Sequence, residues 1–282
     1  MKPRGASPPS SRLPPLASAK RRFGQNFLHD PGVIERIVRS IDPMPGEALV
    51  EIGPGRGALT LPLLERAGQL QVIEIDRDLI PQLQERARQF PGLRVLQADA
   101  LEVDFGAFAA DGRPLRIVGN LPYNISTPLL FHLLQFSSSI RDMHFMLQKE
   151  VVERMGAGAG DEAYGRLSVT LAARAEVQML FKVGPGAFHP APQVESAVVR
   201  LLPRPAPFAI DSLTLFDRVV TAAFGQRRKR LSNALKGLME AGQIEAAGVD
   251  PGLRAERLTP ADFARLANLL AHTRVNPQKE LP

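Results

Sequence analysis

Four short clusters carry the side chains needed to hold a nucleoside and act on an amine. The first is Glu51-Ile52-Gly53-Pro54-Gly55-Arg56-Gly57-Ala58, after an apolar run and ahead of a helical pattern. Its glycines let the backbone turn tightly against a ligand, and the helix start offers free N–H groups. Gly53-x-Gly55-x-x-Ala58 also fits the dinucleotide fingerprint, and a plain strand–helix turn would use the same residues. The second is Glu74, 21 residues beyond Gly53, an acid placed to accept hydrogen bonds from ribose hydroxyls. Asp76 is close enough to compete for that role. The third is Asp99-Ala100: the carboxylate can accept from the exocyclic amine of an adenine while the next backbone N–H meets a ring nitrogen. Together the three point to a nucleoside site without separating NAD from S-adenosylmethionine.

The fourth cluster, Asn120-Leu121-Pro122-Tyr123, separates them. The exocyclic amine of adenine is a poor nucleophile because its lone pair is delocalised into the ring. An amide oxygen and a backbone carbonyl can accept its two N–H bonds, turn the lone pair toward a methyl donor and stabilise the developing positive charge. Pro122 fixes the turn that presents the carbonyl, and Tyr123 offers a stacking face for a flipped base. In-line methyl transfer of this kind needs positioning rather than a general base, because the methylated ammonium loses its proton to water. His29, His132, His144, His189 and His272 stand at no metal-ligand spacing, and no metal is expected. A fifth cluster, Arg227-Arg228-Lys229-Arg230, is poorly placed for the dipole of the helix it opens but well suited to phosphates.

The elements that must position these residues follow from periodicity. Asp30-Pro31 reads as a helix start, with Val33, Ile34, Ile37, Val38 and Ile41 at helical spacing. Strands are predicted over 48–52, 71–75, 93–98, 115–119 and 143–147, alternating with helices over 58–67, 78–90 and 127–136. This is the pattern of an α/β fold with an open, mostly parallel sheet. A helix into Met155, a glycine-rich loop over 156–160 and a helix over 167–175 come next, then strands over 177–183 and 194–202. Pro203, Pro205 and Pro207 form a linker. Helices over 213–224, 230–241 and 260–271 end the chain with no strand pattern. Three segments result: a basic, proline-rich disordered tail over 1–20, an α/β domain over 21–205 and a small all-helical domain over 206–282.

Composition narrows the function. The chain has 282 residues, 44% hydrophobic and 23% charged, with no cysteine. That excludes a disulfide scaffold, a thiolate metal site and a cysteine nucleophile. No apolar run approaches the roughly 20 residues of a membrane helix, and the first residues lack a signal-peptide core. The net charge is +6, and residues 1–22 hold six bases and no acid. The middle is slightly acidic and the end basic again, which fits a polyanion gripped from two sides.

Gln25-Asn26-Phe27-Leu28, the glycine cluster, Glu74, Asp99, Asn120 to Tyr123 and Phe188-x-Pro190-x-Pro192-x-Val194-x-Ser196 occur in that order. The set resembles the ribosomal RNA adenine N6,N6-dimethyltransferases, the small-subunit (16S) enzymes of bacteria, from about Arg21 to His272. The resemblance implies a Rossmann-like methyltransferase sheet and S-adenosyl-L-methionine as cofactor. Gln25, Asn26, Leu28, Glu51, Gly53, Gly55, Gly57, Glu74, Asp99, Ala100 and Asn120 then fall at the cofactor. Asn120, Leu121, Pro122, Tyr123 and Phe188 fall at the reaction, with Tyr123 and Phe188 flanking the target base. Arg227, Arg228, Lys229 and Arg230 are expected to bind RNA. The expected partner is 16S rRNA within the small ribosomal subunit, met by a cytoplasmic monomer without a membrane. Two alternatives stand beside this reading: a large-subunit rRNA adenine methyltransferase, which shares the site motifs, and, of a different class, a ribosome-assembly factor whose RNA binding matters more than its catalysis.

Overall fold

The computed structural model describes residues 26–109, 111–122, 125–226 and 228–275. The tail expected over 1–20 and the site residues Gln25, Tyr123 and Arg227 lie outside them. The first described elements are a two-residue strand, β1 (Phe27–Leu28), and the helix α1 (Pro31–Ile41). The Asp30 carboxylate accepts from the Val33 N–H at 2.9 Å and starts α1, while Ile37, Val38 and Ile41 bury its inner face. Next come β2 (Ala48–Ile52), α2 (Thr60–Ala67), β3 (Leu70–Glu74), α3 (Ile80–Gln89) and β4 (Leu93–Gln97). After a short α4 (Phe105–Phe108) follow β5 (Leu115–Asn120), α5 (Ser126–Leu133) and β6 (Ile140–Gln148). Then come α6 (Lys149–Gly156), α7 (Arg166–Ala172), β7 (Ala175–Val183), β8 (Phe188–His189) and β9 (Ser196–Pro203). Beyond the prolines lie α8 (Leu213–Gly225), α9 (Leu231–Ala234), α10 (Ala241–Ala246) and α11 (Pro260–Val275).

Seven strands form one sheet in the order β4-β3-β2-β5-β6-β9-β7. The strands from β4 to β6 run parallel; β9 is antiparallel to both β6 and β7. Helices cover both faces, so the central strands are mostly apolar, with Val50, Val72, Ile117 and Val118 all buried and Glu51 and Arg116 as buried exceptions. The chain works outward from β2 to β4 on one side, then returns to lay β5 on the other. Such a reversal opens a crevice beyond the strand C-termini, where sheets of this kind bind ligands.

The opposite edge of the sheet is pinned by charge. Arg116 donates to Asp142 at 2.9 Å, to Glu47 at 2.7 Å and to the carbonyls of Ile41 and Asp42 at the end of α1. The arginine and Asp142 are both buried, and their mutual neutralisation makes that burial tolerable.

Three features depart from the periodicity. Residues 230–241 are two helices, because the chain turns after α9 through Leu235 and Gly237, whose φ is +86°, before α10 begins. The helix expected over 127–136 gives way after Leu133 to a 3-10 segment, Leu134–Ser139. Ala175, expected at a helix end, already belongs to β7. The helices after the proline linker share their core with the α/β part. Tyr164, Val169 and Ala173 pack in one buried cluster with Phe216, Leu235 and Phe263. The Tyr164 hydroxyl donates to the Leu258 carbonyl at 2.8 Å.

Candidate active site

The loops after β2, β3, β4 and β5 surround one pocket at the switch point. Its wall includes Glu51, Gly53, Gly55, Glu74, Asp99, Ala100, Asn120, Leu121 and Pro122, with Asn26 and Leu28 from the N-terminal strap and Phe188 from β8. Gly57 is not on the wall. It lies behind the loop with φ +80°, and a Cβ there would sit 1.8 Å from the Arg86 guanidinium. That guanidinium donates to the Arg56 carbonyl at 2.8 Å, so α3 holds the glycine loop from outside. Glycine is favoured because the backbone is left-handed, and a side chain there would also have to displace the Arg86 guanidinium.

Glu74 ties two of the loops together. One carboxylate oxygen accepts from the Gly55 N–H at 3.2 Å and the other from the Asp76 N–H at 2.8 Å. Burial raises its pKa, and these backbone donors work against that rise. Of the two acids weighed at this strand end, Glu74 reaches the pocket wall and Asp76 does not. Asp99 accepts from the Leu101 N–H at 2.9 Å, which fixes its loop, and Ala100 is buried beside it.

The strap closes the other side. β1 pairs antiparallel with β8, setting Phe27 opposite His189 and Leu28 opposite Phe188. The Asn120 amide nitrogen donates to the Asn26 carbonyl at 3.2 Å, so the strap also orients the amide at the end of β5. Leu121 is buried, and its N–H donates to the Met146 carbonyl at 3.2 Å, which anchors the start of the loop to β6. Arg228, Lys229 and Arg230 are exposed and lie away from this pocket.

The pocket wall also includes residues that were not among the expected site residues: Phe27 and Arg56 from within the motifs, and Ile75 and Ile125 outside them. Phe27 lies under the Arg56 guanidinium, 4.4 Å from the ring centroid, a contact between residues far apart in sequence. Ile75 had a readable signal: it is a large apolar side chain directly after the strand-end acid, and it stays 44% exposed beside the pocket.

The family model for ribosomal RNA adenine dimethylase matches residues 16–272. A ribosomal RNA small subunit methyltransferase A from Xanthomonas campestris is 58% identical over 254 residues, covering 90% of this chain and 97% of that protein. The protein of the same name from Marinobacter nauticus is 55% identical over 256 residues, covering 90% and 92%. Among solved structures, a dimethyladenosine transferase from Plasmodium falciparum matches with a TM-score of 0.71 at 25% identity, covering 89% of this chain and 98% of that one. The 23S rRNA methyltransferase ErmE matches with a TM-score of 0.66 at 28% identity, covering 87% and 100%. With a family model spanning most of its length and relatives above half identity, the chain belongs to the ribosomal RNA adenine dimethylase family and is an S-adenosylmethionine-dependent methyltransferase.

Proposed function

We propose that the protein transfers methyl groups from S-adenosylmethionine to N6 of two adjacent adenosines in a loop near the 3′ end of 16S rRNA, giving N6,N6-dimethyladenosine. The carrying observation is that the glycine loop, Glu74, Asp99 and the Asn120 loop meet around one pocket at the switch point of the sheet. The small-subunit assignment draws on relatives at 55% and 58% identity, against 28% for the large-subunit enzyme.

When bound, the cofactor supplies an electrophilic methyl on a sulfonium. The residues present suit such a nucleoside: two acids at successive strand ends, a backbone turn that lets a ligand approach closely, and apolar walls between them. In this reading Glu74 accepts from the ribose hydroxyls, and Asp99 with the Ala100 N–H reads the adenine of the cofactor. Asn26 and Leu28 close over it from the strap, and Gly53 and Gly55 permit its close approach. Asn120 and the carbonyls of the Leu121–Pro122 turn take the N–H bonds of the target amine. Phe188 and Tyr123 hold the flipped base from its faces. The amine's proton leaves to water after methylation, so no side chain is asked to act as a base. Residues 206–282 grip the RNA, with Arg227, Arg228, Lys229 and Arg230 on phosphates.

The protein acts as a cytoplasmic monomer in this scheme. Among the described residues, no helix is long and apolar enough to cross a membrane. Labelled cofactor offered to undermethylated small subunits, with large subunits and free 16S rRNA beside them, tests the assignment. Label should enter small subunits and appear as dimethyladenosine. Preferential labelling of large subunits would overturn it, and binding to small subunits without any transfer would favour an assembly role alone.

A further inference from the structure

Glu51 lies on the pocket wall with only 2% of its surface exposed. One carboxyl oxygen accepts the Thr60 hydroxyl at 2.7 Å, and Thr60 is itself buried. Among the described residues Glu51 forms no ion pair. The groups that face it are Thr60 from α2, Glu74 from β3 and Arg86 from α3. Glu74 opposes its ionisation and Arg86 favours it; Asp76 stands behind Glu74, and Asp99 lies elsewhere on the pocket wall. Burial is the largest influence and pushes the Glu51 carboxyl up to about 7. A carboxylate taken out of water this far is costly until a cation joins it. The cofactor brings two cationic centres, a sulfonium and an ammonium, against one carboxylate.

We propose that cofactor binding is coupled to proton release at Glu51, whose carboxyl group is neutral before S-adenosylmethionine enters and ionised once the cationic cofactor lies beside it. The O–H bond of the carboxyl breaks, its electron pair stays on Glu51, and the proton passes to solvent. The proposal rests on this pocket being the cofactor site.

Calorimetry of the full-length protein with S-adenosylmethionine, repeated in two buffers of different ionisation enthalpy, counts the protons released. Close to one proton per cofactor is expected at pH 6 and almost none at pH 8.5. Affinity should fall toward roughly tenfold per pH unit as the pH drops below the carboxyl's own value. Glu51→Gln should bind without releasing that proton, and Glu74→Gln should bind more weakly yet still release it. Wild-type binding at pH 6 with no proton released would overturn the coupling, as would equal release from Glu51→Gln. If Glu51→Gln fails to fold, the wild-type proton count at the two pH values remains decisive. Absence of cofactor binding by the wild type at either pH would instead remove the cofactor site, and the coupling with it.

Discussion

Asn120 lines the pocket with its amide nitrogen donating to the Asn26 carbonyl, and in the proposed reading its amide oxygen is the acceptor for the target amine. Asn120→Ala should therefore leave cofactor binding mostly intact and lose methyl transfer, by about 2.7–4 kcal/mol of barrier stabilisation, the typical cost of one preorganised contact to developing charge. Turnover within roughly threefold of wild type, about 0.65 kcal/mol, would show that the amide has no such role. Glu51 makes a different prediction, about stability. Its carboxyl is raised from 4.5 to about 7 in the folded protein. The folded state thus keeps a proton that the unfolded chain has released, so the side chain's contribution is fully present below pH 4.5 and is lost as the pH rises through about 7. Above that, the buried charge costs on the order of 3 kcal/mol. Glu51→Gln should match wild type near pH 4.5 and exceed it in stability at pH 8, read by urea unfolding at both values. An equal difference at the two pH values would mean that Glu51 does not titrate with folding.

At the scale of elements, the strands and their loops were legible because each central strand is a mostly apolar run with glycine or an acid at or just after its end. The strap was legible only through its motif. β1 and β8 are two residues each, too short for any period, and their pairing spans most of the α/β part of the chain. The Arg86–Gly57 contact was hidden for the same reason: a helix side chain fills the space of a loop glycine that the sequence places 29 residues earlier. Gly119 shows what such contacts do for the site. It precedes Asn120 at the end of β5, and a Cβ on it would stand 2.6 Å from the Ile52 carbonyl oxygen and 3.0 Å from Leu121. Its bare α-carbon sets how closely the end of β5 approaches the end of β2, and so how the Asn120 loop meets the glycine loop. Gly119→Ala must push these strand ends apart, at about 1–3 kcal/mol of stability for the overpacking. A displacement of about 1 Å between reacting groups can cost a hundredfold in rate, so a shift of a few tenths should lower kcat by roughly tenfold. The cofactor Kd should change far less, since Glu74 and Asp99 stay in place. Steady-state kinetics beside cofactor titration would decide it, and a loss confined to Kd would refute this view of Gly119.

Across the whole molecule, charge and chemistry are separated. Every described residue on the pocket wall precedes the proline linker, while exposed Arg228, Lys229 and Arg230 follow it. The sequence made this division visible through its charge, since the last segment is basic and the middle slightly acidic. It could not make visible how firmly the two parts are joined. Tyr164, Val169 and Ala173 lie in the buried cluster of the later helices, and Arg174 meets Asp217 across the linker at 2.7 Å. A basic surface carried on a shared core is held in fixed relation to the pocket, so phosphate contacts there would place the target loop as well as add affinity. Replacing Arg227, Arg228, Lys229 and Arg230 with Gln should weaken binding to the small subunit and leave cofactor affinity unchanged. Phosphate contacts release counterions, so wild-type affinity should fall with salt. If all four charges meet phosphates, the log–log slope should lessen by roughly 3–4 in the variant. Contacts from Arg21 and Arg22 would give a smaller salt effect that persists when the cluster is gone. Parallel slopes in a salt titration of both proteins would make the cluster a solvated helix end, and would move the RNA grip to the N-terminal tail and the rim of the pocket.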